Sequence, residues 1–288
     1  MIKNRFAALL VIVLVYILAS FGGVYAFNYF SDVEGFGLSY APALFFADVA
    51  ATIIVFIFSL IFRNASVYDP YWSVQPPVII AGVLAKQVAD GTGISLLGGL
   101  LFIAVLFWAL RLTANWAYNF ESFEYQDWRY VMLKEKSGSA YPLINLLGIH
   151  MFPTCVVYLC ILPAVVAIIE GASFRPVCAI FILLSFLAAV FQGIADVQMH
   201  RFRNSGVGGF NRTGLWKHGR HPNYLCEILM WWGIGFASVF ALGGKWWLLA
   251  GAAVNTLMFL FVSIPMADKR QSRKPGFEQY KKETRMLI

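Results

Sequence analysis

Long apolar runs separated by short polar stretches dominate the hydrophobic pattern of this chain. A helix of about 20 residues crosses the roughly 30 Å of hydrocarbon in a membrane, so each run predicts one membrane-spanning helix. The run opened by Pro76 and Pro77 is short and is the weakest of them. The pattern predicts about eight spans, near residues 6–27, 41–62, 75–89, 95–113, 142–169, 176–198, 224–242 and 246–266.

The first run also has features of a cleavable signal peptide. Lys3 and Arg5 precede it and Val24-Tyr-Ala26 ends it, an order that such peptides share. Its apolar core is longer than theirs, which favours a retained helix.

The composition places most of these residues in a membrane. The 288 residues are 60% hydrophobic and 13% charged, whereas ordinary soluble domains are about 45–50% apolar and about 25% charged. One water-facing core cannot bury so much apolar surface, which excludes a soluble globular protein. We therefore expect an all-α integral membrane protein, a polytopic bundle of about 7–8 transmembrane helices that forms a single membrane domain over residues 1–288.

The distribution of lysine and arginine predicts the orientation, because positively charged loops stay on the cytoplasmic side. With a cytoplasmic N-terminus, only Lys86, Arg175 and Lys245 lie on the opposite side. An even number of spans returns the basic C-terminal tail to the cytoplasm, so we expect both termini there. The net charge of +7 then reflects basic loops, and no nucleic-acid partner is expected.

The histidine, cysteine and glycine patterns exclude several kinds of site. Four histidines are too few for the di-iron clusters of membrane desaturases, and the four cysteines lack metal-ligand spacing, so we expect buried thiols and no metal site. The cluster Gly206-Val-Gly208-Gly209 lacks the preceding strand and following helix that a dinucleotide fingerprint requires.

Ionisable residues at the ends of spans are candidates for function because they are costly in a membrane. In the expected orientation Arg111, Asp196, Glu227 and Asp69 all fall at cytoplasmic ends. We expect them to form one polar layer, and interfacial ion pairs between helices are the alternative. Asp48 lies near the opposite end of its span, where helix capping or pairing with a partner is expected.

The segment 214–233 joins a basic loop to an apolar span. Pro222 fits the first turn of a helix, on which Asn223 and Glu227 then share one face. Arg220 and His221 lie at its N-terminus, where a phosphate-bearing ligand would find amide, guanidinium and imidazole donors. Contact with anionic lipid is the alternative for the basic loop.

This segment carries a family resemblance. The run Arg220-His-Pro-Asn-Tyr-Leu-Cys-Glu227 with Trp232-Gly233 resembles the C-terminal signature of the steroid 5-alpha-reductase superfamily, which includes the sterol C14-reductases and the DUF1295 membrane proteins. The resemblance covers about the last hundred residues, and it implies a helix bundle whose cytosolic mouth holds NADPH. Together with the loop residues above, the expected cofactor contacts are Asp196, Arg203, Arg220, His221, Asn223, Tyr224, Glu227, Lys269, Arg270, Arg273 and Tyr280.

The N-terminal half departs from the steroid enzymes. Where these carry a Gln-Glu pair and a later Tyr around the steroid 3-oxo group, this chain reads Asp69-Pro-Tyr-Trp-Ser-Val-Gln75 and then Trp108-Ala-Leu-Arg111. The Asp-x-x-Trp pattern resembles the DUF1295 branch, which implies a shared reaction type and a different substrate. We expect residues 1–140 to form the substrate side and residues 141–288 the cofactor-binding region.

The leading hypothesis is an NADPH-dependent reductase that acts on an activated carbon–carbon double bond in a steroid-like or lipid-like substrate. Such a reaction needs a donor to stabilise the enolate oxygen that forms as hydride arrives. Tyr71 and Asp69 are the candidates, with Arg111 and Tyr118 as second choices, although Tyr118 is also typical of an interfacial anchor. The hydrophobic substrate is expected to enter from membrane lipid, and NADPH from the cytosol.

Two other functions stay open. The isoprenylcysteine carboxyl methyltransferases, which use S-adenosylmethionine, share an Arg-His-Pro-x-Tyr element and a Phe-x-x-Tyr tail, but their Glu-Glu pair is replaced by Pro265-Met-Ala-Asp-Lys269. The basic residues near the motif also suit the phosphates of NADPH better than a positive sulfonium. A non-enzymatic lipid-binding membrane protein is the third hypothesis.

Overall fold

A computed structural model describes residues 2–32 and 38–287, and within these ranges every extended regular element is a helix. A single parallel bridge joins Gly219 to Arg285. The helices are α1 (Arg5–Ser31), α2 (Tyr40–Ile61), α3 (Tyr71–Ala89), α4 (Leu96–Asn119), α5 (Trp128–Ser137), α6 (Tyr141–Ile144), α7 (Phe152–Ile169), α8 (Pro176–Asn204), α9 (Pro222–Ala241), α10 (Ala250–Met258), α11 (Ile264–Gln271) and α12 (Phe277–Glu283). The π-helical segments Asn145–Met151 and Phe259–Ser263 lead into α7 and α11.

The prediction of an all-α membrane protein is confirmed. In the described ranges seven helical stretches are long and apolar enough to cross a membrane. They are Arg5–Ser31, Tyr40–Ile61, Leu96–Asn119, Trp128–Ile169, Pro176–Asn204, Pro222–Ala241 and Trp246–Gln271. The orientation of the termini stays a prediction.

The weakest predicted span has a different beginning from the one expected. α3 starts at Tyr71 and not near residue 75, so that Pro76 and Pro77 lie in its second turn. It is helical as predicted, but it is not one of the seven apolar stretches. Its buried face carries Tyr71, Ser73 and Gln75, so this helix contributes polar groups to the interior.

The chain divides into two compact units that are interleaved along the sequence. Unit 1 comprises Met1–Lys86 and Leu112–Tyr158, and unit 2 comprises Gln87–Arg111 and Leu159–Ile288. These units are defined by packing. The predicted functional division near residue 140 stays a prediction.

In unit 1, small residues let α1 pack closely against α2. The buried stripe of α1 contains Ala19 and Gly23, and a Cβ atom at Gly23 would lie 3.3 Å from the carbonyl oxygen of Ala47. Helices in membranes associate through such small residues because van der Waals contact replaces the hydrophobic effect there. The contact fixes α2, which carries Asp48 and Thr52 on its buried face.

In unit 2, α8 and α9 meet at a glycine. A Cβ atom at Gly233 would lie 2.1 Å from Oγ of Ser185 and 2.6 Å from the carbonyl oxygen of Phe181. The Ser185 hydroxyl also donates to the carbonyl oxygen of Met230 at 2.9 Å. Only glycine fits at this crossing. The close approach lets polar residues of α8 and α9 meet near the ends of these helices that are predicted to face the cytoplasm.

Candidate functional site

Glu227 is the centre of a buried polar cluster in unit 2. Its carboxylate, 3% exposed, accepts three hydrogen bonds from uncharged donors. The indole N–H groups of Trp108 and Trp231 donate at 2.9 Å, and Nε2 of Gln192 donates at 2.8 Å. These three hydrogen bonds hold the Glu227 side chain in one position inside the helix bundle of unit 2.

An ion pair lies on the same stretch of α8. Nη1 of Arg111 donates to Oδ2 of Asp196 at 2.7 Å, and both side chains are largely buried. Asp196 is one helical turn after Gln192, so the two residues share a face of α8. The aliphatic part of Arg111 packs on Gly193, where a Cβ atom would come within 3.4 Å of it. Three members of the expected polar layer, Arg111, Asp196 and Glu227, thus belong to one unit.

This cluster has unpaired polar atoms. The Nε and Nη2 atoms of Arg111 and the Oε1 atom of Gln192 are buried and have no hydrogen-bond partner in the described part of the chain. Buried polar atoms in folded proteins are nearly always paired with protein, water or ligand. The cluster therefore offers two guanidinium nitrogens as donors and one amide oxygen as an acceptor to a polar ligand.

Arg220 and His221 hold the C-terminal tail. Arg220 donates from Nη1 to the carbonyl oxygen of Thr284 at 2.6 Å and from Nη2 to Oδ2 of Asp268 at 3.1 Å. Nε2 of His221 lies 2.9 Å from Oδ1 of the same carboxylate. Burial lowers the pKa of His221 below its usual value. Both residues were expected at a phosphate, and in this structure their partners are carboxylate and carbonyl groups of the chain itself.

The other expected cofactor residues fall into two groups. Tyr280 is buried and stacks on Phe210 at a ring distance of 4.5 Å, while Tyr224 is half-buried and stacks on His221 at 5.2 Å. Asn223, in the first turn of α9, is half-buried. Four basic side chains are exposed and accessible to an anion, namely Arg203, Lys269, Arg270 and Arg273.

A second buried polar cluster lies in unit 1. The Tyr71 hydroxyl donates to Oδ1 of Asp48 at 3.2 Å, and Nε2 of Gln75 donates to Oδ2 at 2.6 Å. The expected partner-pairing role of Asp48 is therefore confirmed. Gln75 lies one turn after Tyr71 on α3, so one helix face supplies both donors.

The remaining catalytic candidates of unit 1 lie in different surroundings. Asp69 precedes α3 and accepts a short hydrogen bond from the Tyr130 hydroxyl. Burial raises the pKa of Asp69 to about 6, so its carboxyl titrates close to neutral pH. The side chain of Tyr118 is 63% exposed, which matches the alternative of an interfacial anchor.

The sequence interpretation did not identify Trp108, Gln192, Trp231 or Asp268 as site residues. A helical spacing could have pointed to two of them, because Gln192 precedes Asp196 by four residues and Trp231 follows Glu227 by four. Across residues 2–32 and 38–287 no group of three or more histidine, cysteine or acidic side chains could hold a metal ion.

Comparison with known proteins gives a family. The profile of DUF1295, described as a protein of unknown function, matches residues 55–284. An uncharacterized protein of Schizosaccharomyces pombe is 28% identical over 196 residues, which are 59% of this chain and 56% of that protein, so the match spans little more than half of the relative. No solved structure matches the chain. Because the profile covers most of the sequence, including the polar cluster around Glu227, this chain belongs to the DUF1295 family.

Proposed function

We propose that this protein is a membrane-embedded, NADPH-dependent reductase of an activated carbon–carbon double bond in a hydrophobic substrate, with its cofactor site facing the cytoplasm. The observation that carries the proposal is the unpaired pair of N–H groups on Arg111 beside the unpaired oxygen of Gln192. They lie in the polar layer that the resemblance to the steroid 5-alpha-reductase superfamily connects with NADPH.

The chemistry of these atoms fits part of NADPH. A carboxamide such as that of nicotinamide has one carbonyl acceptor and an N–H2 donor. The free N–H groups of Arg111 suit the carbonyl oxygen, and Oε1 of Gln192 suits the amide donor. Asp196 holds the guanidinium, and Glu227 holds the Gln192 side chain, through the hydrogen bonds already described. When bound, NADPH supplies a hydride to the substrate.

The phosphates of NADPH need basic partners that solvent can reach. Arg203 lies in the last turn of α8 and Arg270 in the last turn of α11. Lys269 and Arg273 adjoin Arg270, and all four side chains are exposed. Arg220 and His221 act differently in this proposal, since they fix the tail and so position these basic groups.

Tyr71 is the proposed proton donor. As hydride reaches the β-carbon of an enone, negative charge develops on the carbonyl oxygen, and a hydroxyl donor stabilises that charge. The acid proton then passes from Tyr71 to the substrate, so one hydride and one proton saturate the double bond. Gln75 holds the carboxyl of Asp48, and the Tyr71 hydroxyl proton, which faces Asp48 in this structure, would turn to the substrate oxygen when substrate binds.

The test is label transfer in reconstituted membranes. Purified protein in lipid nanodiscs is given NADPH with deuterium at the transferable position and a panel of α,β-unsaturated ketones, including a 4-ene-3-oxo steroid. We expect deuterium on the β-carbon of at least one reduced ketone, detected by mass spectrometry. Binding of S-adenosylmethionine in place of NADPH, measured on the same preparation by calorimetry, would overturn the proposal in favour of a methyltransferase.

A further inference from the structure

Two buried hydrogen-bond acceptors in unit 1 have no donor. They are Nε2 of His150 and Oδ1 of Asn145, for which the described residues supply no partner. His150 is 0% exposed and Asn145 is 2% exposed, so bulk water does not reach them. Buried polar atoms in folded proteins are nearly always paired with protein, ordered water or ligand. This pair therefore calls for a donor from outside the chain.

Counting protons shows that both atoms are acceptors. Nδ1 of His150 lies 2.9 Å from the carbonyl oxygen of Asn145. A carbonyl only accepts, so Nδ1 carries the proton and Nε2 of the neutral ring has a lone pair. The Ser59 hydroxyl donates to the carbonyl oxygen of Phe56 at 2.7 Å. It therefore accepts from Nδ2 of Asn145 at 3.3 Å, which leaves Oδ1 of that amide unpaired.

Both residues lie in the π-helical segment Asn145–Met151, which packs on α2. Hydrogen bonds in a π-helix join residues five apart, and such segments are frequent at functional sites. Both side chains meet the same turn of α2. Asn145 contacts Ser59, and the His150 ring contacts the Phe56 ring at 5.3 Å. The two acceptors therefore face one region between this segment and α2.

The ligand group that suits this region is an uncharged hydroxyl. Two acceptors without a donor require a ligand that brings its own protons. An ammonium group would also bring a charge that neither acceptor neutralises, which is far more costly in an apolar interior. The rings of Phe56 and Tyr68, which contact His150, match the apolar body of a membrane-soluble alcohol. Phe56 is only half-buried, so movement of this one ring opens His150 towards the surface.

One aromatic ring connects the acceptor pair to the proposed proton donor. The Tyr68 ring lies 4.6 Å from the His150 ring and 5.6 Å from the Tyr71 ring. A single substrate that presents its enone to Tyr71 can therefore extend its other end to His150. We propose that His150 and Asn145 accept a hydroxyl group of the substrate. This inference rests on the proposed function and narrows its substrate class to hydroxylated hydrophobic enones.

The first measurement follows ligand binding at the His150 ring. Protein with 15N-labelled histidine in lipid nanodiscs receives linear enones of increasing length, each with either a terminal hydroxyl or a terminal methyl group. The 15N shift of an unprotonated imidazole nitrogen changes when that nitrogen accepts a hydrogen bond. We expect the Nε2 signal of His150, identified by its absence from His150→Gln, to move with at least one hydroxyl compound and with no methyl compound. A signal that no hydroxyl compound moves would overturn the proposal, whether ordered water already holds Nε2 or the atom stays bare.

The second measurement compares KM values for the best hydroxyl compound and its methyl analogue in the presence of NADPH. We expect the wild type to favour the hydroxyl compound by about tenfold in KM, with similar kcat for both. His150→Phe keeps a ring and loses the acceptor, so this preference should disappear. His150→Gln keeps an acceptor oxygen and should retain most of it. The control is His218→Phe at an exposed position, which should keep the wild-type preference.

The ratio of the two KM values separates recognition of the hydroxyl from a structural role. A structural role of His150 would lower stability and kcat without changing that ratio, and this result would overturn the proposal. Reduction of both compounds with equal KM and an unmoved Nε2 signal would remove the hydroxyl site and leave the reductase proposal standing. A moved Nε2 signal without reduction of any enone would support the hydroxyl site and remove the reductase proposal.

Discussion

The buried cluster around Asp48 in unit 1 and the one around Glu227 in unit 2 differ in how their polar groups are paired. In unit 1 the hydroxyls of Tyr68, Thr154 and Thr52 are hydrogen-bonded in series, and Tyr71 and Gln75 both donate to the carboxyl of Asp48. In unit 2 the guanidinium of Arg111 keeps two buried N–H groups without an acceptor in the described residues. A closed network is suited to holding and moving a proton, whereas an open one is completed by a ligand. In the proposed function, the cluster of unit 1 contains the proton donor and the cluster of unit 2 holds the cofactor.

Removing the proposed proton donor should have the largest effect. Tyr71→Phe keeps the ring and its contacts and removes one hydroxyl, so we expect turnover to fall by about 100-fold or more. NADPH affinity should stay close to that of the wild type, because the substitution leaves Arg111, Gln192 and the exposed basic residues unchanged. Turnover and affinity are measured on the same nanodisc preparation. Unchanged turnover would remove Tyr71 from the mechanism.

Changing Glu227 should destabilise unit 2. In Glu227→Gln an amide N–H2 group replaces one of the oxygens that accept from Trp108, Gln192 and Trp231. Oε2 accepts from Trp108 and Gln192 and Oε1 accepts from Trp231, so at least one buried donor loses its acceptor, which costs about 1–3 kcal/mol of unfolding free energy. Thermal unfolding in detergent measures the loss. The control Glu283→Gln lies on the exposed surface, where solvent screens its ion pair with Arg212, so its unfolding temperature should stay close to that of the wild type.

A methyl group at the α8–α9 crossing should have a similar or smaller effect. The Cβ atom of Gly233→Ala would overlap Oγ of Ser185 at 2.1 Å, and overpacking of this kind costs about 1–3 kcal/mol. Gly82→Ala is the matched control, because no atom lies within 4 Å of a Cβ atom there. Equal unfolding temperatures for the two variants would contradict the close crossing.

The smallest expected effect is a pH dependence at Asp69. The pKa of this carboxyl is raised from 3.8 to about 6, so the folded state binds more protons than the unfolded state in that interval. Stability from this group is therefore present in acid and is lost as pH rises through about 6. Asp69→Asn should raise the unfolding free energy near pH 8 and leave it nearly unchanged near pH 4. A gain of equal size at both pH values would show that Asp69 titrates normally.

The sequence was sufficient for the spans and for part of the polar layer. Apolar runs follow from the thickness of a membrane, and charged residues at their ends pointed to Arg111, Asp196 and Glu227. The proline pair did not mark the start of α3, because the helix gains a further turn that buries Tyr71 beside Asp48.

The residues that the sequence did not reveal depend on long-range contacts. Trp108 meets Glu227 across 119 positions of the chain, and Arg220 meets Thr284 across 64. No local periodicity reports such a pair, because each partner alone is typical of its own helix or loop. Trp108 is an ordinary apolar residue of a span until its indole N–H is seen to face a carboxylate.

The most direct test of the central claim is the affinity for NADPH of the wild type and Arg111→Lys, with Lys136→Gln as control. Lysine can keep the ion pair with Asp196 but cannot present the Nε and Nη2 donors, whereas Lys136 is an exposed residue of α5. Calorimetry on folded protein in nanodiscs measures all three. We expect wild-type binding for the control and binding weaker by about tenfold or more for Arg111→Lys. Equal affinity for Arg111→Lys and wild type, or no NADPH binding by the folded wild type, would contradict the account.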